Sequence, residues 1–198
     1  MLVETSASAY TKKSEKYIEA KKEIARAAAR LIPENSVIFM DAGSTSYQLA
    51  RQLIMRKDIV VATNFSPIAE LMNGSEIKVI QIGGEVRHVS GAATGMLATY
   101  CISRIHADIA FLGASGLSDA SGPCVENFPE AEVKRAMIEN AERVYVMADS
   151  SKLHVRAIAR YADWHEITGL IMDSQWETDQ GRELQKRVNL IIAPCEME

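Results

Sequence analysis

The chain has 198 residues, of which 47% are hydrophobic and 24% charged, with 11 Gly, 5 Pro and a formal net charge of −4 at pH 7. Such a composition excludes collagen-like, coiled-coil, disordered and low-complexity chains, and this length buries a substantial core without disulfides or a structural metal. The mild acidity excludes a surface that grips DNA throughout, because phosphate binding needs clustered Lys and Arg; no apolar run approaches the ~20 residues that cross a bilayer, and MLVETSASAY lacks the cationic start and apolar core of a signal peptide.

In chain order, residues 1–11 show no pattern and are expected to be loose, and 12–198 are expected to form one domain. Residues 12–32 read as a helix with Tyr17, Ile24, Ala28 and Leu31 near one face, stopped by Pro33. The apolar run Val37–Met40 predicts a strand ending at Asp41-Ala42-Gly43-Ser44-Thr45, and SYQLARQLIMRK predicts the next helix through Tyr47, Ala50, Leu53 and Ile54. Residues 59–62 read as a strand, followed by Thr63-Asn64-Phe65 and a helix with Ser66 as N-cap before Pro67. Residues 77–82 form a strand that ends in Gly83-Gly84, and 95–105 a helix. Residues 108–112 form a strand ending in Gly113-Ala114-Ser115-Gly116. A helix over 130–142, with Val133, Met137 and Ala141 on one face, precedes a strand over 144–148 that ends in Asp149-Ser150-Ser151-Lys152. A strand over 167–172, a helix over 179–187 and a strand over 188–193 complete the chain. The connections 114–129 and 150–165 are long and irregular, as segments hanging over a sheet edge are.

Apolar strands alternating with amphipathic helices predict an α/β fold, a mostly parallel sheet of about seven strands with helices on both faces. In such sheets ligands bind beyond the carboxyl ends of the strands. Here those ends carry the small and polar residues: 41–45, Thr63-Asn64, Gly83-Gly84, 113–116 and 149–152. Each loop alone is a weak signal, and Gly43 and Gly83-Gly84 taken singly read first as turn glycines; together the five loops predict one polar rim. Gly43-Ser44-Thr45-Ser46 places hydroxyls and unpaired backbone N–H groups at a helix N-terminus, which suits an anion, although Ser44 or Thr45 could serve simply as N-cap. It is neither a Walker A loop nor GxGxxG. Lys152 is a natural point charge for a dianion beside such a loop. Arg87, after Gly-Gly-Glu-Val, could reach the same rim, and Glu130 in a first helical turn is favourable to the helix dipole.

Cys101, Cys124 and Cys195 are distant and odd in number, and His88, His106, His154 and His165 form no HxH or HExxH pattern. Neither a disulfide framework nor a metal site is expected, no cofactor is implied, and a reducing cytoplasmic setting fits.

The segments DAGSTSYQLARQL, TNFSPIAELM, IGGEVR, DIAFLGASGL, EAEVKRAMIENA and ADSSK resemble the C-terminal effector-sensing domain of DeoR-type bacterial transcriptional regulators over roughly residues 16–173. The resemblance implies a fold shared with ribose-5-phosphate isomerase and CoA transferases. It also implies a sensor of phosphorylated sugars or sugar alcohols, belonging to a repressor of sugar metabolism. Position by position, it implies ligand-binding roles for Asp41, Gly43, Ser44 and Thr45, for Ser46, where a threonine is commoner, and for Asn64, Gly83 and Gly84. Glu130, Lys134, Asp149, Ser151 and Lys152 match in the same way. Arg87, Gly113, Ser115 and Gly116 complete the expected rim. Leu153-His154 departs from the usual Phe-Gly, and the loop SDASGPCVENFPE is individual to this chain. The family carries a winged helix-turn-helix before this domain. Too few residues precede the match to bury a three-helix core, so operator DNA is expected to be reached only through a domain this chain lacks. A homo-oligomer, dimer or tetramer, is expected on the same grounds.

The rival reading is a sugar-phosphate isomerase on the same fold. Isomerases of this fold carry an Asp-Gly-Ala-Asp-Glu run after a central strand and a later Lys-Gly-Gly. Here the corresponding stretch is Gly113-Ala114-Ser115-Gly116-Leu117-Ser118, and no Lys-Gly-Gly occurs. The sequence therefore favours a sensor, not an enzyme.

Overall fold

A computed structural model describes residues 15–88, 90–117 and 121–194. Cys195, residues 1–11 and the start of the first expected helix lie outside the described residues.

The elements follow the alternation of apolar runs. Helix α1 (Ile18–Ala29) leads into β1 (Val37–Met40), α2 (Ser44–Leu53), β2 (Val60–Thr63), α3 (Ser66–Met72) and β3 (Lys78–Gln81). A hairpin of β4 (Glu85–Val86) and β5 (Ala93–Thr94) precedes α4 (Met96–Ile102) and β6 (Ala107–Gly113). Then come β7 (Cys124–Val125), α5 (Phe128–Glu139), β8 (Ala141–Met147), a 3-10 turn (Ser150–His154) and β9 (Ala159–Arg160). A second 3-10 turn (Trp164–Glu166), β10 (Gly169–Met172), α6 (Asp179–Gln185) and β11 (Leu190–Ile192) close the fold.

Seven strands form one sheet in the order β11-β10-β8-β6-β1-β2-β3, and every pairing in it is parallel. Parallel strands must be covered on both faces, and the period-two alternation does this. In β6, Ile109 and Phe111 face one side with α1, α2 and α3 through Ile24, Ala28, Leu49, Leu53 and Ile68. Ala110 and Leu112 face the other side with Ala98, Ile102, Val133 and Met137 of α4 and α5. Phe111 stacks on Tyr145 of the neighbouring strand at 5.8 Å between ring centroids. The chain moves outward from β1 to β2 and β3, then returns to β1's other side with β6. The order therefore reverses between β1 and β6, and a crevice opens at that switch point.

Several local expectations shift. Helix α1 is shorter than 12–32: Leu31 and Ile32 bond back to Ala28 and Ala29 in a tightened exit, and Tyr17 does not join the buried face but stands half exposed before the helix. The N-cap of α3 is Phe65, not Ser66, whose hydroxyl accepts from Gln81. Ala141 opens β8 and does not extend α5. The two long connections hold β7 paired with β9, which no periodicity over two residues could announce. Among the described residues no helix is long and apolar enough to cross a membrane.

Candidate functional site

The crevice between β1 and β6 is a cavity of about 190 Å³, walled by the ends of β1, β6 and β8, the starts of α2 and α5, Arg87 of the hairpin and the entrance to α1. At its floor is Asp41, the first residue after β1 and 2% exposed. One carboxylate oxygen accepts from the Ser46 hydroxyl. The other accepts from Gly113 N–H at 2.9 Å, which ties the β1 and β6 ends together, and pairs with the Lys134 ammonium. Lys134 comes from α5 with its side chain 6% exposed, and its ammonium lies 5.3 Å from the Tyr161 ring centroid. Tyr161 donates its hydroxyl to the Gly113 carbonyl at 3.0 Å, which closes the ring of contacts. Burial, and then the negative charge of Asp41, pushes the Tyr161 phenol well above its ordinary value, so it stays a neutral donor.

The opposite wall is built differently. Gly43 is the N-cap of α2, and no side chain caps that helix. The first amides of a helix have no intrahelical acceptor. Among the described residues the hydroxyls of Ser44 and Thr45 make no hydrogen bond, although both residues line the cavity. Lys152, in the 3-10 turn after β8, bonds only through its backbone, to Asp149, Leu117 and Val155, and its ammonium has no partner among the described residues. The turn is held by Asp149, 2% exposed, whose carboxylate accepts from Ser151 N–H at 3.2 Å and from the Ser151 hydroxyl. The start of α5 also faces the cavity: Asn127 caps it by accepting from Glu130 N–H at 3.0 Å. The Glu130 carboxylate lies 3.5 Å from Arg87 Nε, yet that buried nitrogen makes no hydrogen bond. Five cationic side chains (Lys16, Lys21, Arg87, Lys134, Lys152) and four carboxylates (Asp41, Glu126, Glu130, Asp149) line the space.

Of the rim expected from sequence, Asp41, Gly43, Ser44, Thr45, Ser46, Arg87, Gly113, Ser115, Glu130, Lys134, Asp149 and Lys152 line this one cavity. Asn64, Gly83, Gly84, Gly116 and Ser151 do not. Asn64 ties the hairpin that carries Arg87 to the end of β2: its side-chain amide donates to Ala93 O and its backbone carbonyl accepts from Ala93 N–H, both at 2.8 Å. Gly84 has φ +145° and a Cβ there would sit 2.5 Å from Thr94 O; at Gly116 a Cβ would sit 2.3 Å from Val155 O. Both glycines serve close backbone approach, and Ser151 serves the Asp149 turn. Sequence reasoning missed Lys16, Tyr17, Lys21, Ser90 and Asn127 at the wall, and Tyr161 behind it. Tyr161 lies in a connection whose path only tertiary structure defines. Among the described residues no group of His, Cys, Asp and Glu could hold a metal ion.

A parallel sheet with a polar, mixed-charge cavity at its switch point is the architecture in which α/β domains place their ligand sites. The chain belongs to the DeoR C-terminal sensor domain family, which matches residues 16–174. It is 32% identical over 176 residues to the HTH-type transcriptional regulator GlpR of Haloferax volcanii, an alignment covering 89% of this chain and 69% of that one. It is likewise 32% identical over 158 residues to the glycerol-3-phosphate regulon repressor of Escherichia coli K12, covering 79% of this chain and 62% of the repressor. The chain thus spans about two thirds of the length of these relatives. Among solved structures the fold resembles the translation initiation factor eIF-2B of Pyrococcus horikoshii, with TM-score 0.56 and 22% identity over 79% of this chain and 63% of that one. It also resembles a D-ribose-5-phosphate isomerase solved with phospho-erythronic acid, with TM-score 0.50 and 18% identity over 68% and 53%.

Proposed function

We propose that this chain is the effector-sensing part of a cytoplasmic transcriptional regulator, and that its cavity binds a phosphorylated sugar or sugar alcohol without transforming it. The observation that carries this reading is the uncapped start of α2, with the free hydroxyls of Ser44 and Thr45, sharing one cavity with the unpaired ammonium of Lys152. A phosphate dianion satisfies all of these donors at once: backbone N–H groups at a positive dipole end, two hydroxyls and a point charge. Arg87 adds a guanidinium nitrogen that no hydrogen bond satisfies. The name of the E. coli relative, a glycerol-3-phosphate repressor, supports the same ligand class. In this reading operator DNA is contacted by a helix-turn-helix outside this chain, and the sensor assembles at least as a dimer, which sedimentation checks.

Turnover is disfavoured by how the carboxylates are engaged. Aldose–ketose isomerisation needs a general base with a free lone pair near C1 and C2. Asp41 is held by Ser46, Gly113 and Lys134, Asp149 by Ser151, Glu130 lies 3.5 Å from Arg87 Nε, and Glu126 is engaged as well. The test is to incubate the chain with ribose 5-phosphate, fructose 1-phosphate and sn-glycerol 3-phosphate, following melting temperature and, by NMR, product. A ligand at 100 times its dissociation constant adds about 2.7 kcal/mol, visible at ~2–4 °C per kcal/mol. Melting shifts with no product are expected; catalysed ketose formation would place the chain with the isomerases.

A further inference from the structure

Three residues of the cavity wall precede the first strand of the sheet: Lys16, Tyr17 and Lys21, around the start of α1. The body of α1 is fixed by Ile24, Ala25 and Ala28, all fully buried against the sheet. Its entrance is not fixed that way. Tyr17 is 48% exposed and adopts φ 56° in the left-handed region, with no side chain capping the helix. The one other non-glycine with positive φ among the described residues is Asn35, a type that tolerates this conformation, as tyrosine does not. The Lys16 ammonium lies 5.1 Å from the Tyr17 ring centroid, and Lys21, 5% exposed, donates to the Lys16 carbonyl at 2.6 Å. A Lys-Tyr turn is therefore held against the cavity in a conformation its own local preferences do not supply. Residues held in such conformations cluster at ligand clamps.

Resting on the phosphorylated-ligand reading above, we infer that this turn is the clamp over the carbon skeleton of the ligand: Tyr17 covers the sugar or polyol carbons, and occupancy fixes residues 15–22. The donors of α2, Lys152 and Arg87 suit the phosphate and leave the carbons unattended. Ligand sites surround carbon skeletons with apolar and aromatic side chains. The aromatic residues of the wall are Tyr17 and Phe65; Phe65 is 1% exposed and locked in the core, whereas Tyr17 has room to move onto a ligand. Lys16 brings a cation to the same mouth.

The test is amide hydrogen exchange of the full chain with and without sn-glycerol 3-phosphate or fructose 1-phosphate, read at two places, residues 44–47 and residues 15–22. Slowed exchange at both is expected. Protection at 44–47 with none at 15–22 overturns the clamp alone; protection at neither overturns the phosphate-site reading and the clamp with it. The same ligands are titrated into Tyr17→Ala, whose half-exposed site makes the unliganded melting temperature insensitive. Affinity about three- to tenfold weaker than wild type is expected, and unchanged affinity overturns the clamp.

Discussion

The two walls of the cavity follow opposite rules. On the Asp41 side every strong group is engaged: the carboxylate holds Ser46, Gly113 and Lys134, and Tyr161 closes the ring onto Gly113. On the α2 side the helix is uncapped, and the Ser44 and Thr45 hydroxyls and the Lys152 ammonium are left over. A buried ion pair is tolerated when its remaining bonds are satisfied and is costly when one partner is removed. Donors beside an open cavity incur no such cost, because water or a ligand completes them. On the proposed function, the first wall therefore serves stability and the second serves ligand affinity, and substitutions should separate the two.

The largest effect is expected from Asp41→Ala, which leaves the Lys134 ammonium buried without its carboxylate. It should cost about 3–5 kcal/mol in urea unfolding, whereas Asp41→Ala combined with Lys134→Met should recover most of that loss. A single variant as stable as wild type would mean that the clasp does not hold the switch point. On the other wall, Lys152→Ala should leave unliganded stability within about 0.5 kcal/mol yet remove a charged hydrogen bond of roughly 1.5–3 kcal/mol from ligand binding, read by calorimetry as a ten- to hundredfold loss.

Tyr161 sharpens the comparison through pH. Its folded-state pKa is raised above the ordinary phenol value by burial and then by Asp41. The unfolded chain alone therefore ionises as pH rises past about 10, and stability present below that value is lost progressively above it. Tyr161→Phe should flatten this alkaline decline. It should also cost about 1 kcal/mol at neutral pH for the lost hydrogen bond to Gly113. The smallest effect belongs far from either wall. Arg135 pairs with Glu166 at 2.6 Å and Glu139 at 2.9 Å, but its side chain is 39% exposed. Arg135→Ala should cost less than about 1 kcal/mol and leave ligand affinity unchanged.

The alternation of apolar runs was enough to read the seven-stranded parallel sheet, and small polar residues at strand ends were enough to read the rim. Both are local signals: Val37–Met40 followed by Asp41-Ala42-Gly43 announces a strand and its exit within a few residues. The division of labour across the cavity was not legible, because it depends on which groups meet. Asp41 and Lys134 are 93 residues apart, and only the return of the chain to β6 and α5 beside β1 makes them a clasp. Gly84 and Gly116 look like rim glycines in sequence; the backbone atoms that exclude a Cβ there come from Thr94 and Val155. Tyr17 was misplaced for a third reason: helical periodicity continues through it, but its backbone leaves the helical region.

The claim that affinity resides on the α2 wall is tested most directly by calorimetric titration of wild type and Lys152→Ala with sn-glycerol 3-phosphate or fructose 1-phosphate and with the corresponding glycerol or fructose. The account predicts that the wild type binds the phosphorylated compound and not the dephosphorylated one, and that Lys152→Ala loses ten- to hundredfold of that affinity at unchanged unliganded melting temperature. Equal binding of the dephosphorylated compound, or full affinity retained in Lys152→Ala, would contradict it.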